Sequence, residues 1–259
     1  VQASDLQPSS LTIDLSGYRA VVTGAAGGIG SAISAVLRRA GAHVTGVDRS
    51  QSAPADVDEY VSGDLTEATV RKEALARLGD QRDRCILVNN AGLVLDKRLA
   101  ETSEEETRQL FEVNAIMPML FTAELAAAGH QGAVVNIASI LSFAAERSTG
   151  PYTMTKGAIA NHTRVAALEY AGQLRVNAVC PGSVRTPMVT RGWHESGDPS
   201  RAERRVSSLY PVGRIGEPSD IANVVAFLCS DLAAFVNGAL WTVDGGITAA
   251  NAEWALEQL

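Results

Sequence analysis

Cysteine is scarce: the 259 residues hold three, Cys85, Cys180 and Cys229. An odd count without Cys-x-x-Cys spacing excludes a disulfide framework and a thiolate metal centre, so no metal is expected. Each cysteine sits in an apolar segment and reads as a buried thiol. Positive charge is also short. A formal net charge of −7 argues against general nucleic-acid binding, which needs Lys and Arg gathered on one face. The one basic cluster, Arg201, Arg204 and Arg205, is too small to change that. No apolar run reaches the roughly 18 residues of a membrane helix. Residues Val1 to Ser10 are polar, with Asp5 and Pro8, and lack the basic region and apolar core of a secretory signal. They are expected to fray, and the cytoplasm is the expected compartment. Internal repeats are missing as well.

What is present describes a soluble globular protein: 46% hydrophobic and 20% charged residues, with mean hydropathy near zero. The length fits one α/β domain with a substantial core. Apolar, β-type runs at Arg19–Thr23, His43–Asp48, Glu59–Ser62, Cys85–Asn89, Ala133–Ile137, Arg175–Val179 and Leu240–Val243 alternate with segments of helical period. That alternation predicts a Rossmann-type doubly wound parallel β-sheet, with helices on both faces covering strands that are apolar on both sides. Ser103 and Glu106 stand at capping-box spacing and open a helix towards Ala128, with a kink at Pro118. A second long helix runs from Tyr152 to Ala171. The stretches of low order are the ends, Gln51–Asp58, and a polar loop from Val189 to Tyr210. The last, within 187–211, is expected to be a substrate lid, and 247–259 a C-terminal tail.

After the first strand comes Thr23-Gly24-Ala25-Ala26-Gly27-Gly28-Ile29-Gly30. Glycines here permit a tight turn and let the backbone approach a pyrophosphate at the positive end of the following helix. Asp48 ends the second strand about 20 residues on, where a carboxylate can hold the adenosine ribose. A ligand-free glycine turn is the competing reading, and the strand-turn-helix-strand context weakens it. Tyr152 and Lys156, at i and i+4, project from one helix face. A free phenol, with a pKa of about 10, is too weakly acidic to act as a base at neutral pH; a neighbouring cation is expected to lower it, so that Tyr152 exchanges a proton with a substrate oxygen. Seen alone, the pair would be an ordinary amphipathic helix. Ser139 follows the fifth strand at the ligand-binding edge of such sheets, where its hydroxyl can bond the reacting oxygen.

The glycine spacing is G-x-x-x-G-x-G, and here the sequence resembles the classical short-chain dehydrogenases/reductases. The resemblance covers about Leu11 to Gly246. It rests on Thr23-Gly24 to Gly30, Asp64, Asn89-Asn90-Ala91-Gly92, Asn114, Ser139, Tyr152 with Lys156, Pro181-Gly182 with Thr186 and Met188, and Asp244-Gly245-Gly246. Each motif alone is weak, and the set in this order is specific. The resemblance implies an NAD(P)-dependent oxidoreductase interconverting a secondary alcohol and a ketone, with catalytic Asn114, Ser139, Tyr152 and Lys156. Asn114 would hold a water linking Lys156 to solvent, although a polar cap at a helix kink is its competing role. The implied cofactor contacts are Gly24, Gly28, Ile29, Gly30, Asp48, Arg49, Asp64, Leu65, Asn89, Ala91, Gly92, Tyr152, Lys156, Pro181, Gly182, Val184 and Thr186. Asp64 would accept from the adenine amine, unless it merely caps a helix at Thr66, and Thr186 would hold the carboxamide. The family also implies a homotetramer paired through the helices at Ser103–Ala128 and Tyr152–Ala171, with Trp254, Leu256 and Leu259 of the tail offering more apolar surface.

Asp48 favours NAD over NADP, since a 2′-phosphate beside it would meet like charge; Arg49 is the residue that could offset this. The same acid speaks against an NADPH-dependent 3-oxoacyl-thioester reductase. An enoyl reductase is disfavoured by the close spacing of Tyr152 and Lys156, and a catalytically silent dinucleotide sensor by the intact Ser, Tyr and Lys. The sequence departs from the family at Ile140-Leu141-Ser142-Phe143 and at Thr155. His43 and His162 read as structural. Arg147, Arg191 and the Arg201–Arg205 cluster are candidates for meeting an acidic substrate, and Trp193 and His194 with Arg191 for meeting substrate in the lid, each against a plain solvated surface.

Overall fold

A computed structural model describes residues 12–80, 84–195 and 197–251. The expectations for residues 1–10 and for Trp254, Leu256 and Leu259 lie outside the described residues. Seven strands, β1 (Tyr18–Thr23), β2 (His43–Asp48), β3 (Glu59–Ser62), β4 (Arg84–Asn89), β5 (Gln131–Ile137), β6 (Leu174–Pro181) and β7 (Leu240–Val243), form one sheet in the order β3-β2-β1-β4-β5-β6-β7. All pairings are parallel. The expected strands are all present, within a residue or two at their ends.

Parallel strands need crossovers, and these cover both faces of the sheet. One face carries α1 (Gly28–Arg39) and α8 (Pro218–Cys229), packed on Ala20, Val22, Val44, Ile86 and Val88. The other carries α2 (Ala68–Ala76), α4 (Met117–Ala127) and α5 (Gly150–Glu169), packed on Val21, Val47, Cys85, Leu87 and Val134. Consecutive residues therefore enter opposite cores, which is why these strands read as unbroken apolar runs. All three cysteines are buried and free, and burial pushes each thiol up from its usual pKa, to about 12 for Cys85, 11 for Cys180 and 12 for Cys229.

The capping box at Ser103 and Glu106 opens α3 (Glu104–Phe111) as expected. The kink has a different form from the one predicted. Residues Glu112–Ile116 make a wide π turn, and Pro118 opens α4 behind it. Pro118 has no N–H to return to the Asn114 carbonyl, so the regular helical ladder cannot run through this point. The run Glu104–Ala127 is long and apolar enough to cross a membrane by length and composition, which the sequence reading had not credited. Its Met117, Phe121 and Leu125 are buried against the sheet, as in the core helix of a folded domain.

Two further boundaries move. The helix expected at Thr66 starts at Ala68 as α2, with Asp64 instead making a turn onto the Thr66 amide and hydroxyl. The expected lid loop is mostly helical: α6 (Pro187–Glu195) and α7 (Pro199–Ser207) fill it. Both begin with proline, which suits the first helical position, and the Asp198 carboxylate accepts from the Arg201 amide to cap α7. Polarity alone had masked the helical signal there.

Candidate active site

The order in which strands are added to the sheet reverses between β1 and β4, and the carboxyl ends of these parallel strands open a cleft where ligands bind in such sheets. Two turns are locked together at its floor. Buried Thr23 accepts at Oγ1 from the amides of Asn90 and Ala91, both at 2.9 Å, and Asn90 Nδ2 donates to the carbonyls of Thr23 and Gly24 at 2.9 and 3.1 Å. Gly24 has φ +65, open to glycine without strain. A Cβ on Gly30 would stand 2.1 Å from the Gly24 carbonyl oxygen, and one on Gly28 would stand 2.8 Å from Thr186 Cγ2. The glycines thus create a cradle that any side chain would fill, which fits a dinucleotide backbone pressed against the N-terminus of α1.

The cleft, about 1090 Å³ with its open mouth included, is lined by the expected Gly24, Gly28, Ile29, Asp48, Ala91 and Gly92. Ser139, Tyr152, Lys156, Pro181, Gly182, Val184 and Thr186 line the same cleft. It shares Gly24, Asp48, Ala91 and Gly92 with a slot of about 540 Å³ that adds Arg49, Asp64 and Leu65. Asp48 is held at its root, accepting from the Ala26 amide at 3.1 Å and the Ser50 amide at 3.1 Å. Asp64 lies below the usual carboxylate range, first through its hydrogen bond from the Thr66 amide.

Three expected residues stand elsewhere. The Asn89 side chain is buried in the sheet, donating to Asn136 Oδ1 at 2.8 Å and Thr122 Oγ1 at 3.3 Å, and its neighbour Asn90 lines the cleft instead. Consecutive residues leaving a strand point to opposite sides, so only one of the pair can face the ligand. Gly30 lies beneath the turn and acts through its missing Cβ. Asn114, buried in the π turn, accepts from the Leu93 amide and donates to the Leu93 carbonyl, both at 2.8 Å, and donates to Thr155 Oγ1 at 3.2 Å. Its side chain braces the segment beyond Gly92, so the competing cap-like role is realised in the geometry. Sequence reasoning missed Val113 and Met117, which wall the slot; the i, i+4 spacing along the helix was the available signal. Met188, singled out in the motif set, and Val189, at the start of the expected lid, bring α6 to the cleft.

Ser139 and Tyr152 meet through a hydrogen bond that pulls the phenol pKa down, but burial outweighs it and pushes Tyr152 up to about 12. Lys156 does not lower it, contrary to expectation. Its Nζ stands 5.5 Å from the phenol ring centre and donates to the Ile137 carbonyl at 2.8 Å. Burial in turn lowers Lys156 to about 8. The arginines proposed for an acidic substrate are not in the cleft: Arg147, Arg201, Arg204 and Arg205 line neither cavity. Arg191 and His194 border a separate open hollow with Pro187 and Thr190. The segment expected to be a lid is tied down by Arg185, which bonds Glu203 of α7 at 2.7 Å and Glu217 before α8 at 2.8 Å.

Residues 24–248 match the family described as enoyl-(acyl carrier protein) reductase. The chain is 36% identical to cis-4-hydroxycyclohexanecarboxylate dehydrogenase of Sinomonas cyclohexanicum, over 89% of this chain and 96% of that protein. Among solved structures it is similar to the ligand-free aldohexose dehydrogenase of Thermoplasma acidophilum, with TM-score 0.86 and 27% identity over 92% of this chain and 96% of that one. It is also similar to a candidate NAD(P)-dependent gluconate 5-dehydrogenase of Beutenbergia cavernae holding NADP, with TM-score 0.84 and 33% identity over 92% and 100%. The chain belongs to the classical short-chain dehydrogenase/reductase family. It is an NAD(P)-dependent oxidoreductase acting on CH–OH groups.

The depressed Lys156 value has a measurable consequence. Between pH 8 and the usual 10.5 the unfolded chain binds more protons at this residue than the folded one, so its contribution to stability rises with pH, and the full burial penalty is present below pH 8. Lys156→Met removes that penalty and also the bond to Ile137. The variant is expected to be more stable than the parent by about 1–2 kcal/mol at pH 7, with the gap narrowing from pH 8 upward. Urea unfolding of both proteins at pH 7 and pH 10 measures this, and the other titrating groups cancel in the difference. A variant less stable than its parent at pH 7 would refute it.

Proposed function

We propose that this protein interconverts a small secondary alcohol and a ketone, with Tyr152 as acid/base, Ser139 as hydrogen-bond partner of the reacting oxygen, and Lys156 as cofactor and proton-relay residue. The observation that carries this reading is the convergence of Ser139, Tyr152 and Lys156 in the same cleft as the glycine cradle. The nicotinamide supplies the hydride acceptor or donor when bound. Tyr152 then takes the proton from the alcohol oxygen, or gives one to the carbonyl oxygen in the reverse direction. A phenol held protonated by burial is set for donation, which suits carbonyl reduction. Ser139, already bonded to the phenol, orients the substrate oxygen between them. Asn114 acts by bracing Gly92 and Leu93 beside Lys156. Met188 and Val189 give the substrate end an apolar wall, consistent with a compact ring or short chain such as the alicyclic alcohol named for the Sinomonas relative.

NAD is the cofactor we assign over NADP. Asp48 sits at the junction of cleft and slot, and the Ala25, Ala26 and Gly27 turn brings no cation to offset a 2′-phosphate. The NADP held by the Beutenbergia protein marks that the fold accommodates either cofactor, so the charge at this one position decides. Arg49 lines the slot on the side of Asp64, whose carboxylate it attracts. We further assign one domain, with 187–211 as substrate lid, the cytoplasm as compartment, in keeping with three free buried thiols, and a homotetramer. Ile116 and Met119 on the α3–α4 side, and Met154, Val165 and Leu168 along α5, are exposed apolar side chains that a partner copy would cover.

Three outcomes test these assignments. Tyr152→Phe is expected to lower kcat by about 10²–10⁴-fold while cofactor affinity stays within a factor of about two. Steady-state rates and a cofactor titration decide this, and retained turnover would remove Tyr152 from the mechanism. The ratio of kcat/KM for NAD to that for NADP is expected to exceed one and to fall in Asp48→Ala. A higher value with NADP in the parent would overturn the cofactor assignment. Light scattering at micromolar concentration is expected to give a mass near four chains; a monomer would end the oligomer proposal.

A further inference from the structure

Arg71 is a buried cation far from the reacting groups. It lies on α2 and is 4% exposed. Nη1 donates to the carbonyls of Leu65 and Thr66 at 2.8 and 2.9 Å, while Nε and Nη2 reach the Glu124 carboxylate at 3.0 and 2.9 Å. Glu124 is on α4, on the same helix face as Met117 and Phe121, at the i+7 and i+3 positions from them. Leu65, Met117 and Phe121 share one apolar core, whose contacts are not directional, and the guanidinium adds a directed link between the two pieces of chain.

Both pieces line the slot beside Asp48: Asp64, Leu65 and Thr66 from the segment after β3, and Val113 and Met117 from the π turn and α4. We infer that Arg71 and Glu124 are positioning residues that set the width of this slot for a flat heteroaromatic base, the adenine end of the cofactor. The inference rests on the dinucleotide reading of the cleft and extends it to residues that touch neither cofactor nor substrate. A planar fork is needed: two carbonyls on one edge and a carboxylate on the other match guanidinium geometry, and a lysine ammonium cannot span both. A slot held at fixed width spares the bound base the cost of ordering its own walls, so the clamp acts on affinity and leaves the hydride and proton steps alone.

The test uses Arg71→Lys in the full chain, with ADP-ribose as the probe. Its dissociation constant and the KM for NAD are expected to rise about tenfold, with kcat within a factor of about two. Val225→Ala, a core truncation in α8 on the other face of the sheet, is the control: it lowers the unfolding midpoint and leaves ADP-ribose affinity unchanged. Glu124→Gln, which keeps the side-chain shape and loses the charge, is expected to shift affinity in the same direction by a smaller factor, and it carries the test if Arg71→Lys does not fold. Unchanged ADP-ribose affinity in both variants overturns the inference, as does a fall in kcat that matches the rise in KM. A parent protein that binds no ADP-ribose overturns the dinucleotide reading itself, and a normal parent with insensitive variants overturns only the clamp.

Discussion

The carbonyl oxygen of Gly24 lies where the Cβ of residue 30 would be in any other residue. That close approach lets β1 turn straight into α1, and it depends on the amide of Asn90 gripping the same carbonyl from the β4 side. The two turns are therefore one unit. Thr23 completes it by accepting from two successive amides beyond β4, so the ends of β1 and β4 share a single hydrogen-bonded knot. Asp48 joins through the Ala26 amide. A floor held this way is fixed in shape and still presents open space at the N-terminus of α1, which is the requirement for holding a polyanion against main-chain dipoles.

Electrostatics in the cleft follow from burial more than from pairing. Free tyrosine and lysine titrate close together, near 10 and 10.5. Here the phenol is pushed up to about 12 and the amine down to about 8. Both shifts favour the uncharged form, as a low-polarity environment dictates. The spacing Tyr152 to Lys156 suggested a cation close enough to stabilise phenolate, yet the amine is drawn away to the Ile137 carbonyl. Helical spacing sets which face a side chain leaves from; where a long chain ends is decided by the nearest buried acceptor that would otherwise go unpaired.

The same distinction explains what was legible in the sequence. Strands such as Cys85–Asn89 announced themselves because both faces must be apolar, and Tyr152, Ser139 and the glycines because the chemistry needs those residue types. The π turn at Asn114 was hidden, since it arises from a missing hydrogen at Pro118 together with the tertiary bonds to Leu93. The helices α6 and α7 were hidden by the polarity of their segment, because α7 buries none of its side chains and shows no apolar stripe to read. The sequence points to Asn89 as the cofactor contact where Asn90 lines the cleft, because the residue at which β4 ends decides which of the two faces it.

Beneath the cleft, polar groups continue into the sheet where apolar side chains would pack more simply. Asn89 donates to Asn136, Asn136 to Thr163 of α5, and Asn89 again to Thr122 of α4. Thr122 and Thr163 each return a bond to a carbonyl of their own helix. An apolar core tolerates small slips of a helix along a strand, because dispersion contacts are not directional. A chain of directed bonds does not, and its partners inside a low-dielectric core are costly to lose. The chain runs from the central strands to the two helices that carry Tyr152 with Lys156 and the wall at Met117. It therefore converts the register of the sheet into the position of the reacting groups, at a distance from any atom of substrate.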